Sequence, residues 1–421
     1  MTLRYFSLLP LLLSMGLTSA ADVAIPLVLP ESTALRWLTS DPALVSADNA
    51  LAAANIEASQ QALSPYDWVA NGTYQRRDYS SSNGTGSNSN EWNVGLERTF
   101  RLPNKVKADE ASAKAIRLMA PAEYKQARRE AAEALLNAWF DWLAADARKT
   151  LLLSQQSSIE DNVAVVGKRV KSGDAAVLEQ RLASAELIAI QRQVNEAKNA
   201  EVTAWTFLAA RYQATEEAKT TALPEPIAVP QDLSWWQTRM LAVNDQLTLA
   251  QAQVASAEAL AQRAKAEQRP DPTFGVFTGR EAYGSEKLIG VTASIPIASK
   301  RRSLEVERQQ AQVSVARQNL TLTEREQRAA IQASYTAATG YFERWQLAQQ
   351  AATTLFDNAK LTQKAYQLGE GDVQLLLLAR RQALMAAEDA SSAKVAALRS
   401  YYRLLLNAKL LWSDWLNGTI D

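Results

Sequence analysis

Two stretches nearly free of helix breakers constrain this chain more than any other feature. Residues 104–168 and 299–368 contain no proline except Pro121. At 1.5 Å per residue, a continuous helix over the first of them is about 97 Å long. No globular unit built from 421 residues houses such a rod, so these segments are predicted to form a coiled-coil shaft. A return helix follows the first, with Leu187, Ile190, Val194, Ala197, Ala204 and Leu208 at spacings of three and four, interrupted at Glu201. On the second long helix Val306, Val313 and Leu320 are seven apart, and alanine is frequent at the seams.

The two long segments belong to a duplication. Asn93–Leu102 aligns with Leu288–Ile297, placing Gly95 and Gly290 195 positions apart. Farther on, Val170-Lys171-Ser172-Gly173 aligns with Tyr366-Gln367-Leu368-Gly369, and Leu182-Ala183 with Leu378-Ala379, at an offset of 196. Each half reads as helix, two strands, long helix, turn and long helix. The first helices are predicted over Glu31–Leu63 and Ser234–Glu267. The expected organisation is an export signal over 1–21, a first repeat over 22–222, a linker over 223–233, a second repeat over 234–416 and a tail over 417–421.

The strand segments alternate. Trp92, Val94, Leu96, Arg98 and Phe100 share one face, and Asn93, Gly95, Glu97 and Thr99 the other. Ile289, Val291, Ala293, Ile295 and Ile297 repeat the apolar face in the second half. This period of two marks strands with one apolar and one polar side. The Ser/Asn/Gly run Asp78–Asn90 is expected to be an exposed, mobile loop, and Gly279–Lys287 its shorter counterpart.

The N-terminus points to export. Arg4, an apolar run from Tyr5 to about Leu17 and the small residues Thr18–Ala21 form a secretory signal, with cleavage expected after Ala20 or Ala21. The run is shorter than the roughly 20 residues of a spanning helix, and no later segment reaches that length. An exported chain without a helical anchor is soluble or spans its membrane as a β-barrel. Lysine plus arginine equals aspartate plus glutamate, 45 each, which gives no net field for nucleic acid. Without cysteine or histidine, disulfides, thiol catalysis and the usual general bases and metal ligands are missing. No phosphate-binding glycine loop occurs. No enzyme activity, cofactor or metal site is expected.

In this order of elements the chain resembles the TolC-like outer-membrane efflux family, from about Glu31 to Leu416. The marks are the duplicated hairpin and a Tyr-x-x-Gly turn followed by an alanine about ten residues on: Tyr366, Gly369 and Ala379, with Gly173 and Ala183 in the first half. Asp41-Pro42-Ala43-Leu44 is similar to the Asn-Pro-x-Leu element of heavy-metal and drug efflux members. The implied fold is mainly α with β, with long antiparallel coiled-coil helices and two β-hairpins contributing four strands to an oligomeric transmembrane β-barrel. Four strands cannot close a barrel when membrane barrels have at least eight; three copies giving twelve is the family's solution. The resemblance therefore implies a homotrimer in outer-membrane lipid, working with a periplasmic adaptor (membrane fusion protein) and an inner-membrane pump.

Candidate site residues follow from the same resemblance. Gly173 and Gly369 mark the periplasmic tip turns, and both also serve as ordinary helix-terminating glycines. Family members link an acid six after the first turn glycine to a tyrosine three before the second; here these are Glu179 and Tyr366. Their other reading is a solvated acid and a packing tyrosine. Gly371 stands where relatives have an arginine, and Leu375 and Leu378 where some carry a carboxylate ring, so an apolar constriction replaces an acidic one. Glu370 and Asp372 favour the next helix N-terminus. Trp92 and Phe100 suit membrane-interface girdles. Arg98 shares their face and must lie near the periplasmic interface, since at mid-bilayer it costs roughly 2–4 kcal/mol. Trp139, Trp142, Trp235 and Trp236 read as packing residues. The expected function is an export duct for small molecules or metal ions. The alternatives are a pore-free periplasmic adaptor or scaffold, and a duct for protein secretion.

Overall fold

The computed structural model describes residues 29–79, 86–214, 223–297 and 299–418; the signal segment 1–21 lies outside them. The first half runs α1 (Glu31–Thr39), α2 (Pro42–Gln61), β1 (Trp68–Tyr79), β2 (Ser87–Thr99), α3 (Pro103–Ser172) and α4 (Val177–Tyr212). The second runs α5 (Leu233–Ala242), α6 (Asp245–Ala266), β3 (Thr273–Glu281), β4 (Glu286–Ser294), α7 (Lys300–Gln367) and α8 (Val373–Asn407), and a short α9 (Ser413–Asn417) closes the described chain.

The shaft is present. At 70 and 68 residues, α3 and α7 extend about 105 and 102 Å. The 36-residue α4 and 35-residue α8 reach back along only about half of that. The remaining half of α3 packs against α2 and α6, and α6 also packs on α7, tying the repeats together. Helix α3 continues through Pro121, where a lost backbone hydrogen bond costs about 3 kcal/mol against packing along its whole length.

Each initial helix is broken, where the sequence suggested one. In the first half Pro42 disfavours helical backbone at Asp41, and Asp41 instead caps α2, its carboxylate accepting from Ala43 N at 3.1 Å. In the second half Asn244 caps α6 by accepting from Leu247 N at 2.9 Å. The breaks carry related ion pairs to the ends of the return helices. Arg211 reaches the buried Asp41 at 2.8 Å, and Lys409 the buried Asp245 at 2.7 Å.

The main core lies where α4 and α8 end, near the middle of α3. Trp139 packs at a tilt against Trp142 with ring centroids 4.7 Å apart, and Trp142 against Trp205 at 5.3 Å. Trp37, Trp236, Tyr402 and Trp415 pack around them, and Trp235 joins from the edge, so the tryptophans are packing residues. Glu201, the interruption in the return-helix seam, is buried on that seam. It accepts from Trp142 Nε1 at 3.0 Å and faces Lys149 at 3.4 Å, which satisfies a carboxylate that would otherwise be costly to bury.

The strands form one antiparallel sheet in the order β1-β2-β3-β4. Pairing of β2 with β3 joins the two hairpins. Both connections are shorter than expected. The ladder between β1 and β2 runs on to Asp78↔Asn88 and Tyr79↔Ser87, because Ser and Asn pair through backbone groups irrespective of side-chain polarity. Residues 80–85 lie outside the described set. In the second hairpin pairing reaches Glu281↔Glu286, leaving a tight turn with Ala282 and Tyr283 at positive φ. Ile295 and Ile297 lie beyond β4, so the apolar alternation there outlasts the strand.

Candidate functional site: the hairpin tips and the two-faced sheet

Both hairpin tips end in the same backbone motif. Gly173 and Gly369 adopt φ of +83° and +81°, a left-handed conformation that side chains with a Cβ resist. Gly173 N donates to Val170 O and Asp174 N to Arg169 O; Gly369 N donates to Tyr366 O and Glu370 N to Ala365 O. These bond pairs are Schellman motifs, which satisfy the last carbonyls of α3 and α7. Asp372 then caps α8, accepting from Gln374 N at 3.1 Å.

Glu179 and Tyr366 meet across the tips. The Tyr366 hydroxyl donates to Glu179 Oε2, and Glu179 Oε1 accepts from Ala176 N at 3.4 Å. Tyr366 is buried, with the Arg169 guanidinium 5.0 Å from its ring centroid. Burial first, and the bond to Glu179 second, raise its pKa above the ordinary value. Gly371 lies close behind: a Cβ there would sit 3.1 Å from Tyr366 N.

The link breaks the repeat symmetry. At the offset of 196, Glu179 corresponds to Leu375 and Tyr366 to Val170. Leu375 and Leu378 are more than half exposed, at 56% and 53%, whereas Leu376 between them is buried. Val177, Leu178 and Leu368 are also exposed at the tips. Sequence reading passed over these three because apolar residues at helix ends look like seam positions.

The sheet register sorts the strand residues into two faces. One face holds the rows Trp68–Arg98–Phe274–Ala293, Ala70–Leu96–Val276–Val291, Gly72–Val94–Thr278–Ile289 and Tyr74–Trp92–Arg280–Lys287. The other holds Asn71, Thr73, Gln75, Asn93, Glu97 and Thr292. On this polar face the Phe277 ring lies over Gly290, where a Cβ would fall 2.4 Å from it. The apolar face is bare: Ile289 and Val291 are 89% and 83% exposed. Trp92 lies at its far end, and Phe100, against Phe274 at 6.0 Å between ring centroids, at the end nearest the helices. Arg98 is also at the helix end, its guanidinium 5.4 Å from the Trp68 ring centroid.

A buried charge network seats this sheet on the shaft. Arg101 pairs with Asp109 at 2.8 Å and Asp271 at 3.2 Å, and Lys105 with Asp271 at 3.0 Å and Glu267 at 2.8 Å. Tyr66 donates to Asp271 at 2.9 Å, and Leu102 N donates to it at 3.0 Å. Burial pushes the Asp271 pKa up, but Lys105, the Leu102 amide and Tyr66 together outweigh it and hold the group below its ordinary value. Lys105 and Asp109 are four apart on α3, as are Arg263 and Glu267 at the end of α6. That spacing is visible in sequence as charged rows, but their partners are not.

Two long antiparallel helical hairpins carrying a two-faced, four-stranded sheet define the TolC-like channel fold. Residues 36–211 match the model of the outer membrane efflux protein family. The outer membrane protein VceC of Vibrio cholerae is similar with a TM-score of 0.73 at 17% identity, over 90% of this chain and 95% of that one. The CmeC outer membrane channel of Campylobacter jejuni gives 0.72 at 15%, over 91% and 85%. The MtrE outer membrane channel of Neisseria gonorrhoeae, solved in its open state, gives 0.61 at 16%, over 90% and 88%. At these identities the likeness is one of fold. No curated protein matches by sequence.

Proposed function

We propose that this chain is the outer-membrane duct of an efflux assembly, a homotrimer that passes small molecules or metal ions received from an inner-membrane pump through a periplasmic adaptor. The observation that carries this reading is the sheet: its exposed apolar face needs lipid, and its polar face suits a water-filled lumen. Its outer edges, β1 and β4, have no partner strand among the described residues. Unpaired edges do not persist in a bilayer, so neighbouring protomers supply the pairing, and three copies give twelve strands. From Phe100 to Trp92 is eight residues, about 27 Å along the strand and about 21 Å after a tilt near 40°, close to the apolar band of a membrane barrel. The helices then extend into the periplasm, and the apolar tip residues Val177, Leu178 and Leu368 face the adaptor. Glu179, Tyr366, Leu375 and Leu378 form the gate. Transport is passive, with energy supplied by the pump.

The chain has no cysteine, so a single introduced thiol reports its own location. Ser87→Cys, beside the loop of the first hairpin, is expected to react with an impermeant thiol reagent on intact cells. Labelling only after the outer membrane is permeabilised rejects the orientation.

A further inference from the structure

Charge signs are segregated across the far end of the sheet. Glu281 and Glu286 are directly opposite one another on the polar face, and Arg280 and Lys287, one residue earlier and one later, are directly opposite on the apolar face. Like charges so placed destabilise a sheet unless a counter-charge lies between them. On the acidic side Glu281 has one: Arg77, on the same face, approaches Glu281 at 3.7 Å and Glu91 at 3.1 Å. Arg280 and Lys287 form no ion pair among the described residues, and both are exposed. Alternation directs Glu281 and Glu286 away from them. One row farther out on the same face stands Arg76, whose only carboxylate partner among the described residues, Asp78 at 3.3 Å, is itself exposed.

The position of these cations selects the missing anion. Arg280 and Lys287 share a row with Tyr74 and Trp92, and beneath it Val94, Ile289, Leu96, Val276 and Val291 form the apolar band. Aromatic side chains of this kind mark the level where acyl chains give way to headgroups. An anion reaching a base on the lipid-facing side at that level is a lipid phosphate. We propose that Arg280 and Lys287, with Arg76 above them, bind the phosphate groups of glycolipid in the outer leaflet. The planar guanidinium chelates phosphate oxygens through two parallel bonds, and the ammonium adds a point charge. This inference rests on the reading that the hairpins cross the outer membrane.

The test uses the whole trimer purified in mild detergent, titrated with diphosphoryl lipid A, the same lipid stripped of phosphate, and inorganic phosphate, with bound lipid read by native mass spectrometry. The diphosphoryl lipid is expected to stay bound. Arg280→Gln combined with Lys287→Gln is expected to weaken it about tenfold without altering the stripped lipid, while Arg280→Lys keeps most of the binding. Equal retention of both lipids, unchanged binding in the double variant, or inorganic phosphate binding as tightly as the lipid each overturns the proposal. If the double variant loses its trimer while Arg280→Lys assembles, the counter-charge is a neighbouring protomer's carboxylate, and the proposal also falls. Failure of Ser87→Cys to label on intact cells removes the membrane reading itself. A protein that labels but ignores lipid phosphate removes only this inference.

Discussion

The hydroxyl of Tyr366, at the end of α7, donates to the carboxylate of Glu179, in the first turn of α4, joining the two helical hairpins across 187 residues of sequence. A hydrogen bond to a charged group contributes about 1.5–3 kcal/mol. Tyr366→Phe is therefore expected to raise the open probability of the reconstituted channel severalfold in planar-bilayer recordings. Glu179→Ala is expected to do more, since it also removes the acceptor for Ala176 N. Tyr366→Phe leaving gating unchanged removes the link from the gate.

The same pair predicts a pH response. Tyr366 is held neutral, with its pKa raised above 10.0, so its contribution is fully present below the ordinary tyrosine value and is lost as pH rises through the higher folded value. Wild-type closure should therefore hold through pH 10 and loosen only above it, whereas the Tyr366→Phe channel should show no such alkaline step. Recording across that range checks the sign.

Leu375 and Leu378 on α8 are each more than half exposed. Apolar side chains facing one another around a narrow axis exclude water and gate by dewetting. Leu375→Asp with Leu378→Asp is expected to raise single-channel conductance and make it sensitive to divalent cations, while the trimer still assembles. An assembled trimer with unchanged conductance, or loss of the trimer on an assembly gel, ends the apolar-gate reading.

The buried pair Asp245–Lys409 predicts an asymmetric stability effect. Lys409→Met leaves the carboxylate buried and alone, a change that costs about 3–5 kcal/mol. Adding Asp245→Leu removes the stranded charge and is expected to recover most of that loss. Thermal unfolding of the two variants beside the parent measures the difference; equal destabilisation contradicts the assignment.

Asp271 at the junction of sheet and shaft predicts acid tolerance. Its pKa is depressed, so its contribution is present above the ordinary carboxylate value near 3.8 and disappears only as pH falls through the lower folded value. Asp271→Asn is expected to lower the unfolding midpoint at pH 7, and the gap from the parent should narrow below about pH 4. A gap that stays constant to pH 2 shows that the side-chain charge is not what stabilises the junction.

Much of the architecture was legible because it is written in local periodicity. Breaker-free runs place α3 and α7, alternation between Trp92 and Phe100 places a face of β2, and the offset between Gly173 and Gly369 relates the tips. Resemblance to the TolC-like family brought Glu179 and Tyr366 together; no spacing rule does so. The capped breaks at Asp41 and Asn244 were missed because two short helices in succession keep the composition of one. The connection after Tyr79 was drawn too long because Ser and Asn side chains say little about backbone pairing.

What the sequence by itself determined is therefore the set of parts and the faces they present, since period and breaker content act within a few residues. The tertiary structure alone decided how the parts meet. Pairing of β2 with β3 converts two hairpins into one sheet, and Arg101 and Lys105 find Asp271 only when that pairing brings the starts of α3 and β3 together. The two halves also part company here: Glu179 has Tyr366 within reach, while Leu375, at the matching position of the second half, is an exposed apolar residue. Such contacts depend on where residues more than 150 positions apart come to rest, and that is set by packing of the whole chain, not by any local spacing.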